Sequence, residues 1–142
     1  MPVIRRGEAG DLKQVAAIQT ACPEAADWDV AGYLEHEFLV AVEGLGPARI
    51  IAGFLVARIV AQDEREILNL AVAPEFRRKH IAQDLLENFL KDCRGAVYLE
   101  VRESNSVAIN FYKSMQFKEF SRRKNYYATP LDAAIVMKFH SC

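Results

Sequence analysis

The chain has 142 residues, 51% of them hydrophobic, with 18 Lys+Arg set against 19 Asp+Glu for a formal net charge of −1 at pH 7. That length holds one domain with one hydrophobic core, here residues 1–142, and needs no second domain. The near-neutral balance and a pI near 6.3 exclude wholesale binding to nucleic acid or to acidic membranes, so any anion site is local.

In chain order, PVIRR (Pro2–Arg6) is a short strand. Gly10-Asp11 then starts a helix over LKQVAAIQTAC that Pro23 stops. A second helix is expected from Asp29 through Val30 to Glu37. Three strands follow: FLVAVE, RIIAGFLVARIV after the turn GLGP, and REILNLAV after the turn Gln62-Asp63-Glu64, ending before Pro74. They make an antiparallel meander.

From Ile81 the apolar residues Ile81, Leu85, Leu86, Phe89 and Leu90 share one helical stripe, with Gln83, Asp84, Glu87, Asn88 and Lys91 opposite. AVYLEV (Ala96–Val101) is the next strand. The long crossover before it favours parallel placement beside ILNLAV. SNSVAINFYKSM (Ser104–Met115) is a further helix, and FKEFSRR and AIVMKF are the closing strands. The order β-α-α-β-β-β-α-β-α-β-β describes a mixed α/β sandwich, with helices on both sides of a mixed, mostly antiparallel sheet.

The three cysteines, Cys22, Cys93 and Cys142, are widely spaced, with no CxxC pair and no His at metal-ligand spacing. They read as reduced thiols in a cytoplasmic protein without a metal. The opening MPVIRRGEAGDL has no apolar run of signal-peptide length, and no stretch reaches the roughly 18 apolar residues of a membrane span.

The start of the helix at Ile81 carries the wrong charge. Peptide dipoles place partial positive charge there, yet Arg77, Arg78, Lys79 and His80 crowd it. A bound anion would supply the compensation, since free N–H groups, dipole and cations all favour phosphate. The bland alternative is a solvated basic loop. Glu100, within an apolar strand, is a candidate base, or else a solvent-facing residue or the ion-pair partner of Arg102. Tyr112, on the next helix, is a candidate acid or a core aromatic with its hydroxyl at the rim.

The runs LNLAVAPEFRRKHIAQDLL, YLEVRESNSVAINFYKSMQF and KNYYATPLDAAIVM together resemble the GNAT N-acetyltransferases, and among them the RimI type that acetylates protein N-terminal amines. The resemblance is strongest from Leu68 to Met137 and includes the pattern LEVRxSNxxAxxxY. It implies a GNAT fold and acetyl-CoA as co-substrate, with its pyrophosphate on Arg77, Arg78, Lys79, His80, Ile81, Ala82 and Gln83. It implies a pantetheine arm along the backbone of Leu70, Ala71 and Val72, and a cofactor contact from Asn105. Glu100 then takes the proton from the amine, directly or through water, and Tyr112 protonates the departing thiolate, in a ternary complex without a covalent intermediate.

Reference pKa values support an N-terminal α-amine as acceptor. Deprotonation at pH 7 costs roughly 1 kcal/mol there and roughly 4.6 kcal/mol for lysine. A small-molecule amine, a lysine, or a non-catalytic acyl-CoA-binding role are the alternatives. The implied partners are acetyl-CoA and the amine, in a monomer or homodimer.

The sequence departs from the family pattern at three places. His80 stands where the family has a loop glycine, Gln116 replaces the glycine that follows a helix, and Asp132-Ala133 replaces two adjacent acids. The segment from Cys22 to Leu34 is expected over the acceptor side, with Trp28 and Tyr33 available to line it.

Overall fold

The structure is a computed structural model describing residues 2–44, 47, 49–77, 80–128 and 131–141. Seven strands form, β1 Val3–Arg6, β2 Glu37–Glu43, β3 Ile50–Ala61, β4 Glu64–Val72, β5 Gly95–Arg102, β6 Lys118–Ala128 and β7 Leu131–Ser141. The helices are α1 Leu12–Ala21, α2 Ile81–Lys91 and α3 Ser106–Ser114. Hydrogen-bonded neighbours follow the order β1-β2-β3-β4-β5-β7-β6. β4 and β5 run parallel, as the helical crossover between them requires. β1–β2, β2–β3, β5–β7 and β6–β7 are antiparallel. Among the described residues no helix is long and apolar enough to cross a membrane.

The chain divides into two compact units. One holds the chain up to Ile59 together with Leu68–Asp92. In it every residue of β3 from Ile51 to Ala57 is buried, so this strand's unbroken apolar run is covered on both faces rather than alternating. Tyr33 is stacked between Phe38 and Phe54, each with its ring centre 5.8 Å away. Gly53 lies where the backbone of β4 comes close: a Cβ there would meet the Ala71 carbonyl at 2.9 Å and the Ile81 and Leu85 side chains at 3.3 Å. That close packing fixes the end of β4 against the first turn of α2.

The other unit holds Val60–Ile67 and the chain from Cys93 onward. Leu99 and Val101 of β5 and Ile135 and Met137 of β7 are buried. Glu100 and Arg102, which alternate with the buried β5 residues, are half-buried. The period of two thus puts an apolar face and a charged face on one strand.

Two local expectations change. The helix expected from Asp29 to Glu37 is a 3-10 helix, Val30–Glu35, whose start Asp29 caps by accepting from the Ala31 N–H at 3.1 Å. Six residues containing Gly32 and followed by a strand leave little room for α-helical hydrogen bonds, and such short pieces settle into the tighter turn. At the helix start read at Gly10-Asp11, Asp11 ends a 3-10 turn, Ala9–Asp11, and α1 follows from Leu12. Its carboxylate turns back to the Glu8 N–H at 2.8 Å and takes both arms of Arg5 at 2.7 and 2.9 Å. The closing strands are also longer than expected, because the Lys-Asn-Tyr run 124–126 of β6 is absorbed as a bulge.

The Arg5 hydrogen bond holds the Asp11 carboxyl below the usual carboxylate range. A lowered pKa stabilises the fold above the unfolded value, and the contribution disappears as pH falls through the folded one. Asp11→Asn should therefore cost about 1 kcal/mol at neutral pH for this partly exposed pair, and progressively less as pH falls below the unfolded carboxylate value of about 3.9. Denaturant melts of both proteins across that range measure the difference.

Candidate active site

In the first unit, β4 delivers Leu70, Ala71 and Val72 to the turn that precedes α2. The parallel β4–β5 register runs from Glu64↔Ala96 to Ile67↔Leu99, and these three residues follow its end. Pro74–Phe76 forms a 3-10 turn, and α2 begins after His80. His80 sits in the left-handed region, φ 59° and ψ 21°, and makes no side-chain cap. Asp84 N–H reaches the His80 carbonyl at 2.9 Å, closing the first helical turn, so the N–H groups of Ile81, Ala82 and Gln83 precede it and point out of the helix.

The donor set suits a polyphosphate: three backbone N–H groups at the positive end of a dipole, beside an exposed imidazole. His80 adopts the conformation a glycine would take at this place. The loop shape is kept at a strain cost of roughly 1–2 kcal/mol for an L-residue. Arg78 and Lys79 lie outside the described residues. The Arg77 guanidinium donates to Glu24 at 3.0 Å and to the Cys22 sulfur at 3.5 Å, and the Gln83 amide donates to Glu87 at 2.9 Å. Cys22 and Cys93 are buried and form no disulfide.

A buried polar network ties the segment around Trp28 to β4. The Asn69 amide, 6% exposed, donates to Gln19 at 3.1 Å and to the Ala26 carbonyl at 2.9 Å. The Tyr33 hydroxyl donates to Gln19, and Gln19 donates to the Trp28 carbonyl at 2.6 Å. Trp28 Nε1 donates to the Leu68 carbonyl at 3.2 Å. Trp28 keeps 48% of its surface exposed, whereas Tyr33, at 2%, belongs to the core and lines no open face.

In the second unit, Glu100 projects from the charged face of β5. Its Oε1 lies 3.6 Å from Arg123 Nη1, which gives the carboxylate an ion-pair partner on β6. The Arg102 guanidinium lies over the Tyr127 ring at 4.1 Å. Burial, and then the Glu100 charge, push the Tyr127 hydroxyl's pKa up. Asn105 caps α3, its Oδ1 accepting from the Ala108 N–H at 3.2 Å, so the –NH2 is the group it can offer a ligand. Asp132 accepts from the Ser104 hydroxyl at 2.5 Å and the Ala133 N–H at 2.9 Å. The Ser104 bond chiefly lowers its pKa.

Tyr112 is 9% exposed, its ring edge-on to Phe111 at 5.2 Å and Phe117 at 5.5 Å. Burial pushes its hydroxyl's pKa well above the ordinary tyrosine value. The end of α3 holds it in place. Phe117 N–H bonds back to the Tyr112 carbonyl at 3.0 Å and Gln116 N–H to that of Lys113 at 3.1 Å, a Schellman closure with Gln116 left-handed at φ 73°. His80→Gly and Gln116→Gly are each expected to raise stability by about 0.5–1 kcal/mol, read as a melting-temperature rise of roughly 2–4 °C.

Sequence reasoning gave Arg123 and Tyr127 no role. The available signal was the cationic run SRRK leading into two tyrosines, which also describes an ordinary charged strand edge.

Among the described residues the sheet is mixed, with β4 parallel to β5 and α2 between them in sequence, which fits the class of fold to which the acetyltransferases belong. The family profile described as the acetyltransferase (GNAT) family matches residues 12–117, and the chain belongs to that family. The [ribosomal protein bS18]-alanine N-acetyltransferase of Salmonella typhimurium is 41% identical over 83 residues, 56% of this chain and 55% of that protein. The chain thus spans about half the length of the first curated relatives it matches. The N-alpha-acetyltransferase of Sulfolobus acidocaldarius is 32% identical across 94% of this chain and 89% of its own. Among solved structures, the ribosomal-protein-S18-alanine N-acetyltransferase from Escherichia coli superimposes with a TM-score of 0.82 at 25% identity, covering 100% of this chain and 96% of that one.

Proposed function

We propose that this protein transfers acetyl from acetyl-CoA to a primary amine, and that the amine is a protein's N-terminal α-amine. The observation that carries the reading is the start of α2: an uncapped helix N-terminus after a left-handed residue, in a chain of an acetyltransferase family. Two relatives of this chain are named as a [ribosomal protein bS18]-alanine N-acetyltransferase and an N-alpha-acetyltransferase.

When bound, acetyl-CoA supplies a thioester whose carbonyl carbon accepts the amine. Arg77, Arg78, Lys79 and His80, with the N–H groups of Ile81, Ala82 and Gln83, would hold its pyrophosphate. The backbone of Leu70, Ala71 and Val72 would pair with the pantetheine arm, and the Asn105 –NH2 would donate to the same ligand.

Glu100 accepts a proton from the ammonium and frees the nitrogen lone pair for attack. The new C–N bond forms as the C–S bond breaks, the sulfur leaves with the electron pair and takes the Tyr112 hydroxyl proton, and the second proton that the nitrogen must lose returns through water to the tyrosinate. A base of carboxylate strength suits an α-amine, whose conjugate acid lies near 7.7–8.0, better than a lysine near 10.4.

The test incubates the protein and acetyl-CoA with paired peptides whose N-termini are free or blocked, each carrying one internal lysine, and reads products by mass spectrometry. Acetylated α-amines with untouched lysines support the reading. Modification of lysine alone, or CoA binding with no transfer to either peptide, overturns it.

A further inference from the structure

Resting on that reading of Glu100, we propose that Arg123 selects the acceptor, favouring peptides whose second residue is Asp or Glu. The strand register brings the groups together. Glu100 and Ser121 both pair with Val136, and Arg102 and Arg123 both pair with Ala134. Paired residues project from the same side of a sheet, as do residues two apart, so Glu100, Arg102 and Arg123 share one face. β6 bulges just beyond Arg123, with three residues of β6 set against Ala133 between the pairs Arg123↔Ala134 and Tyr127↔Asp132. The guanidinium thereby lies 3.6 Å from Glu100 and 5.0 Å from the centre of the Tyr126 ring.

Asp132, on the same face by register, is already engaged by the Ser104 hydroxyl and the Ala133 amide. Glu103 projects from the opposite side of the chain and takes Arg122.

An α-ammonium approaching Glu100 needs the carboxylate that Arg123 now holds. Exchanging one cation for the other leaves the guanidinium without its counter-ion. An acceptor that carries a carboxylate beside its amine completes the exchange, ammonium to Glu100 and carboxylate to Arg123, with both charges kept in pairs. A second-position lysine instead sets like charge against Arg123. Arg123 is 56% exposed and Glu100 25%, so the preference is moderate and sensitive to salt.

The experiment measures kcat and KM for three peptides that begin Ala-Glu, Ala-Gln and Ala-Lys and are otherwise identical. Wild type, Arg123→Gln and Arg123→Glu are compared after thermal melts establish that all three fold. In the wild type KM should rise about fivefold from the Glu to the Lys peptide, the factor that about 1 kcal/mol of charge pairing gives. kcat should vary little, and the spread should shrink in high salt. Arg123→Gln should flatten the series and Arg123→Glu should reverse it. Equal KM values in the wild type, a lysine preference, or a glutamate preference that survives in Arg123→Gln overturns the proposal and leaves α-amine transfer standing. No transfer to any of the peptides overturns the transfer reading itself, and this proposal with it.

Discussion

Glu100→Gln is expected to lower kcat/KM for acetylation of a free N-terminal amine by about 10²- to 10⁴-fold, the range typical of losing a positioned general base. Glutamine keeps the shape of the side chain and can still accept a hydrogen bond, but it cannot carry away a proton. The fold should survive. Glu100 is half-buried on a strand whose alternate residues make the core, and losing its contact with Arg123 should cost at most about 1 kcal/mol.

The pH dependence separates a base from a mere binding group. An α-amine is mostly protonated below its pKa near 7.7–8.0 and mostly neutral above it. The deficit of the variant should thus narrow as pH is raised from about 7 to 9, because the amine arrives already deprotonated. Initial rates of CoA release across that range measure it. A deficit that stays constant would assign Glu100 to holding the acceptor instead.

The second large effect is expected at Tyr112. Tyr112→Phe should lower kcat by about 10²-fold, the lower end for a positioned acid, while leaving the acceptor's KM nearly unchanged. The ring contacts to Phe111 and Phe117 and the backbone closure at Phe117 do not involve the hydroxyl, so the variant should fold as well as the parent. Burial raises the hydroxyl's pKa, which keeps the proton in place throughout the working range.

The same shift makes a stability prediction. A group whose folded pKa lies above its unfolded one favours the fold below the unfolded value, about pH 10 for tyrosine, and loses that advantage as pH climbs toward the folded value. Alkaline melts should show this loss in the parent and less of it in Tyr112→Phe. An unchanged kcat in the variant would make Tyr112 a packing residue only.

What could be read from residues alone followed from periodicity and punctuation. The stripe of Ile81, Leu85, Leu86 and Phe89 is buried in α2, and the crossover before Ala96 gave the parallel pair. The charge anomaly at Arg77–His80 marked the start of a helix that no side chain caps. Pattern does not report tertiary competition. Asp11 marked a helix start, but no local pattern showed that Arg5 would give its carboxylate two charge-assisted bonds. Tyr33 looked available to a surface, but Phe38 and Phe54 enclose it. Arg123 meets Glu100 only because β7 lies between β5 and β6 and β6 bulges beyond Arg123, a register that no local signal encodes.

The two bulges of β6, between Glu119 and Ser121 and between Arg123 and Tyr127, bear on how this chain behaves in a crowded solution. A straight outermost strand offers an unbroken row of N–H and C=O groups on which another molecule's strand can stack, the first step toward fibrils. Here the first kink turns Phe120 toward Tyr98, ring centres 5.6 Å apart. The second interrupts the row beside Arg122, Arg123 and Lys124, and the opposite margin, β1, is four residues long. Removing Phe120 at the first kink, or two of the three residues 124–126 at the second, would straighten the strand and should seed thioflavin-positive aggregates that the parent does not form.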